Sequence, residues 1–203
     1  MAFLHPSTCI ATGRGPRPGA AALLIVECQN AFTSASSRTR VEGAGAALEA
    51  IRRLAAAFSS AGLPVAATRH AHASVPRPGG MGSRWRSFIM EGSPEASLDP
   101  RLGAVPAGRV FTKSCYSAFR GTGLPAHLAG LGVSRLVICG FQTHICVEST
   151  ARDAFERGFD VSVASDACAS IRRDLHEAAL LCMGHALGGV EDSAGILRQL
   201  GLS

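Results

Sequence analysis

The chain has 203 residues, 47% of them hydrophobic, and a formal charge of +5. That length and apolar content suit one domain with a buried core and exclude a disordered chain. The basic residues form no run and aromatics are few, which argues against nucleic acid as a partner, and no apolar stretch approaches the roughly 20 residues of a membrane span.

The opening MAFLHPSTCIATGRGPRPG lacks a basic start and is broken by Pro6. Residues 1–19 therefore read as a flexible arm rather than a signal peptide, and 20–203 as a single domain. LLIVECQNAF, residues 23–32, begins as a buried strand and then places Glu27 where the strand should end. The Ala-rich segment 43–62 has apolar positions at helical spacing and closes on Gly62. PVAATR, 64–69, is a second strand. Residues 70–106, rich in Gly, Pro and Ser, read as a long excursion over one edge of the sheet.

RVFTK, 109–113, is a third strand and SRLVICG, 134–140, a fourth, with a short helix around PAHLAGLG between them. A helix over 146–158, a strand over 159–166 and a helix over 172–188 complete the pattern. Strands alternating with helices predict an α/β fold: a three-layer αβα, Rossmann-like, doubly wound and mainly parallel sheet of about six strands.

Seven scattered cysteines without a CxxC pair predict neither a disulfide framework nor a cysteine metal site, and fit a reducing cytoplasm. Lys113 is the only lysine, every other basic residue being Arg. A compact ammonium differs chemically from a guanidinium, which marks Lys113 as a candidate for chemistry. Glu27, Lys113 and Cys146 fall at or beyond the carboxyl ends of three strands, where open α/β sheets gather their ligands. Cys146 also opens a predicted helix, whose amide dipoles, with a neighbouring ammonium, are expected to lower the thiol pKa.

GFQTHICVESTARDAFERGFDVSVASDACAS and EGSPEASLDPRLGAVPAGRVFTKSCYSAF resemble the nucleophile and lysine regions of the isochorismatase-like cysteine hydrolases, and LLIVECQNAF is similar to their first strand. The resemblance implies a triad of Glu27, in place of the usual Asp, with Lys113 and Cys146. It also implies a cis peptide at Phe141-Gln142 and an oxyanion hole from the amides of Gln142 and Cys146. The implied reaction is hydrolysis of a C–N bond in a small amide, ureido or carbamoyl substrate through a thioester, with no cofactor. Relatives that cleave a vinyl ether carry a non-thiol residue at the position of Cys146, which sets that activity lower.

Nicotinamidases of the family bind zinc through Asp-x-His and further histidines. This chain has His70-Ala71-His72 there, read as facing opposite sides of the strand end, and no other histidine between 73 and 126. The expectation is no metal, with His70 and His72 lining or flanking the pocket. Tyr116, Phe119, Trp85, Arg84, Arg86 and Arg120 are the remaining candidates for the pocket, an arginine pairing with a substrate carboxylate. Family habit implies a homo-oligomer, dimer or tetramer, in the cytoplasm. Glu27 in the Asp position motivates one alternative, a catalytically silent scaffold or interaction protein.

Overall fold

The computed structural model describes residues 21–103 and 109–202; the arm expected at 1–19 lies outside them. Six parallel strands form one sheet in the order β3-β2-β1-β4-β5-β6. They are β1 (Ala21–Val26), β2 (Val65–His70), β3 (Val110–Lys113), β4 (Arg135–Phe141), β5 (Asp160–Ala169) and β6 (Val190–Glu191). All six residues of β1 and all seven of β4 are buried, as continuous apolar runs must be when helices cover both faces of a parallel sheet.

The chain runs outward from β1 through β2 to β3, then returns to lay β4 on the other side of β1. With right-handed crossovers this reversal puts successive helices on opposite faces and opens a crevice at the carboxyl ends of β1 and β4. Helix α2 (Ala44–Ser60) packs on β1, β4 and β5, with α7 (Ser193–Leu200) beside it, whereas α5 (Glu148–Glu156) and α6 (Arg173–Leu187) pack on β5 from the other side. In α2 the buried Ala47, Leu48, Ile51, Leu54 and Phe58 recur at three- and four-residue intervals, forming one apolar stripe. Short helices α1 (Asn30–Thr33), α3 (Met81–Arg84) and α4 (Leu124–Gly130) complete the set.

Gly140 fixes how closely β4 approaches β1. Its φ is +121°, and a Cβ there would stand 2.0 Å from the carbonyl oxygen of Val26. Only glycine therefore allows the approach, at the residue that precedes Glu27.

The sheet has the expected six strands; β6 completes it and α7 follows, neither revealed by the hydrophobic pattern. Two expectations need correction. Cys146, expected to open a helix, instead precedes α5 and sits in a π-helical turn, Thr143–Val147. The segment after His70 does not follow a sheet edge: antiparallel pairing of Gln29 with Leu98 and parallel pairing of His72 with Met90 draw it across the carboxyl end of the sheet.

Candidate active site

Glu27 ends β1 in the left-handed region, with φ +51°. This conformation turns the chain out of the strand and the side chain into the crevice. A β-carbon costs energy here, and Asp tolerates it better than Glu. The longer residue reaches the ammonium of Lys113, with which its Oε1 is in direct contact. Both side chains are almost wholly enclosed. Lys113 Nζ also donates to the carbonyl oxygen of Cys115 at 2.8 Å.

Cys146 arrives from β4 through the π-helical turn, which two histidines anchor. Thr143 Oγ1 and His176 Nδ1 are 2.8 Å apart, and His144 Nδ1 and Ser170 Oγ 2.9 Å. The Phe141-Gln142 peptide bond is cis. The Cys146 sulfur, a Glu27 oxygen and a His70 nitrogen lie within 4.8 Å of one another.

Burial alone would raise the pKa of Glu27, but Lys113 and then His70 outweigh it and bring the carboxyl from 4.5 to about 2. Burial likewise opposes the charge on Lys113, yet Glu27 and the Cys146 sulfur hold its pKa above the usual lysine value. For Cys146 the balance goes the other way. Burial and Glu27 push the thiol well above 9.0, and Lys113 offsets them only in part. The lowered thiol pKa expected from the sequence is thus overturned, because desolvation of the thiolate exceeds the help from one shared ammonium.

A folded-state carboxyl pKa below its unfolded value stabilises the protein above the unfolded pKa, and that contribution is lost as pH falls through the folded pKa. For Glu27 the window runs from 4.5 down to about 2, and the loss is on the order of 3 kcal/mol. Denaturant unfolding at a series of acidic pH values should show this loss in the wild type and a smaller one in Glu27→Gln. Equal losses would mean that the carboxylate is not held in this way.

Glu27 and Cys146 face a cavity of about 590 Å³. Glu27, His70, His72, Trp85, Tyr116, Gln142 and Cys146 all line it, while Lys113 lies beneath its wall. Trp85 Nε1 donates to the Tyr116 hydroxyl at 2.9 Å. Four other expected residues lie elsewhere. Phe119 is buried against Phe159, with the Arg157 guanidinium over its ring, because Ser117 and Ala118 bond to Asp153 and Thr150 and turn this segment toward α5. Arg84 stacks over Trp85 and is exposed, as is Arg86. Arg120 borders a separate depression with Arg152, Asp153 and Glu156.

The sequence reading missed Phe32, Phe88, Ile89 and Ile145, which make the cavity largely apolar, and Arg38, which adds a guanidinium to its wall. Phe32 carried a usable signal: it follows Glu27 by five residues, and one turn of α1 returns it to the crevice.

His70 and His72 do not diverge. Residues two apart in extended chain share a face, and here the Nε2 atoms lie 2.9 Å apart. Among the described residues, one group has the donors to hold a metal ion, namely Glu27, His70 and Cys146. The fit is poor, since the Glu27 oxygen already meets a buried ammonium that would repel a divalent ion, and coordination would tie up the thiol.

Residues 21–195 match the family model described as the isochorismatase domain. The chain is 31% identical to nicotinamidase 3 of Arabidopsis thaliana over 191 residues, covering 92% of each protein. It is also 31% identical to a ureidoacrylate amidohydrolase of Methylobacterium radiotolerans, covering 91% of this chain and 81% of that one. The crystal structure of N-carbamoylsarcosine amidase from Thermoplasma acidophilum superposes with a TM-score of 0.74 at 27% identity, over 85% of this chain and 96% of that one.

Proposed function

The chain belongs to the isochorismatase family, and from that premise we propose that it is a metal-independent cysteine hydrolase acting on a C–N bond of a small amide, ureido or carbamoyl compound. The observation that carries this reading is the convergence of Cys146 and Glu27 on one cavity wall with Lys113 directly behind. Relatives named nicotinamidase, ureidoacrylate amidohydrolase and N-carbamoylsarcosine amidase support the same bond class. Unpaired cysteines among the described residues fit a cytoplasmic setting.

The protonated thiol sets the order of events. Glu27 takes the Cys146 proton as sulfur attacks the carbonyl carbon, so the thiolate forms only as it is consumed. Lys113 stays protonated and balances the negative charge as it moves between carboxylate and sulfur. The amides of Gln142 and Cys146 receive the carbonyl oxygen as it becomes an oxyanion. Collapse breaks the C–N bond, and the proton on Glu27 passes to the leaving nitrogen. Because Lys113 holds the Glu27 pKa low, this carboxylic acid is a strong proton donor. Water then attacks the thioester, and the C–S bond breaks to restore the thiol.

The test is ammonia release over a panel of amides, ureido acids and carbamoyl compounds, run beside Cys146→Ala. Release from at least one compound, absent in the variant, is expected. Silence across the panel would favour the scaffold reading.

A further inference from the structure

His70 ends β2 and His72 follows two residues later, and both line the cavity beside Glu27. His70 Nδ1 is 3.5 Å from Glu27 Oε1. The two histidine Nε2 atoms are 2.9 Å apart, so one must donate and the other accept. The three side chains form a line from the triad carboxylate along the cavity wall.

This line is firmly built. The side-chain amide of Gln29, itself fully buried, accepts from the His70 backbone N–H at 2.6 Å and donates to the His70 carbonyl at 3.0 Å. It also donates to the Ala96 carbonyl at 3.0 Å. His72 pairs through its backbone with Ile89 and Glu91, each at 2.9 Å, and its ring stands edge-on to Phe88.

Such a pair holds a defined number of protons. In the neutral state one proton lies between the Nε2 atoms and a second sits on one of the two outer Nδ1 atoms. One further proton fills the other Nδ1. Another would set two N–H groups head to head across 2.9 Å. The pair therefore stores a single positive charge, and uptake at the His70 end with release at the His72 end moves a proton along the wall.

Thioester hydrolysis releases a proton that such a carrier can accept. The water oxygen bonds to the acyl carbon, the C–S bond breaks, and sulfur recovers one proton. The product acid ionises, leaving one more proton to be cleared. Lys113 is already protonated, and Glu27, whose pKa Lys113 holds low, relays a proton without retaining it. Given the thioester route proposed above, we infer that His70 and His72 act as one unit that takes up this proton beside Glu27 and releases it to water in the cavity. The charged and titratable groups nearest the pair are Glu27, Lys113 and Cys146, and Arg38 and Glu95 line the same cavity. Burial, then His70 and Lys113, lower the pKa of His72, which favours release of the proton at that end.

The test uses p-nitrophenyl acetate, whose nitrophenolate leaves without needing a proton, so that acylation is separated from deacylation. The wild type should give a burst of nitrophenolate followed by steady turnover, both abolished in Cys146→Ala. His72→Asn should keep the burst amplitude and lower the steady rate at least about 10-fold, the low end for loss of a proton-transfer group. Acetyl-enzyme should accumulate by intact mass, and imidazole buffer should restore the rate. An unchanged steady rate, a loss that imidazole does not rescue, or loss of the burst in His72→Asn would each overturn the proposal. Failure of Cys146 to acquire an acetyl group in the wild type or in His72→Asn would instead remove the thioester route, and the proton carrier with it.

Discussion

Cys146→Ala is expected to eliminate hydrolysis of any C–N substrate the chain accepts, by on the order of 10⁴-fold or more, while the protein still folds. Removing the sulfur leaves the Glu27–Lys113 ion pair intact and takes only one small atom from a buried turn, a change that costs about 1 kcal/mol. Cys146→Ser should be equally inactive, because nothing in the site acidifies a hydroxyl enough to replace the thiol. Alkylation adds a second measurement. Since burial holds the thiol protonated, the rate of iodoacetamide labelling at Cys146 should still be rising above pH 9.0. Retention of more than a few per cent of turnover by Cys146→Ala would remove it as the nucleophile, and a labelling plateau below pH 9 would show a preformed thiolate.

Lys113→Met should abolish activity and also destabilise the fold by about 3–5 kcal/mol, because it leaves a buried carboxylate without its partner. Lys113→Arg should not rescue it, as the enclosed site has no space for a planar guanidinium. The informative variant is the double one. Adding Glu27→Gln to Lys113→Met removes the stranded charge and should recover most of the lost stability, with activity still absent. Urea unfolding of the two single variants and the double variant measures the coupling. Simple additivity would show that the two side chains do not act as a buried pair, and neither the lowered Glu27 pKa nor its role as proton carrier would stand.

The parts of this molecule legible in its sequence are those where one physical demand dominates. β1 and β4 read directly because a strand buried on both faces must be continuously apolar. Lys113 stood out because an all-arginine chain had kept one ammonium. β6 did not, since two residues after Gly188-Gly189 carry no periodicity. Helix α7 did leave a signal: Asp192 caps it through the Gly195 amide at 2.6 Å, and Gly201 ends it.

The pocket wall was harder, because sequence neighbours of a catalytic residue need not face the same way. Phe119 lies six residues after Lys113, yet hydrogen bonds to α5 rotate it away from the cavity. Phe88 and Ile89 come from a long segment whose path depends on two isolated bridges, and no local pattern encodes those pairings. The histidine pair was visible but misassigned by a parity error, since an interval of two in extended chain means one face and not two.

The hydrogen bond between Trp85 and Tyr116 has a practical consequence. They are the only tryptophan and the only tyrosine in the chain, and both line the cavity. The intrinsic fluorescence of the protein therefore arises entirely at the place where a substrate would sit. With excitation beyond the phenylalanine band, the emission reports on that wall alone. Binding of a non-emitting compound to Cys146→Ala can be titrated without a label, so the ligand can be sought by light before any turnover has been observed.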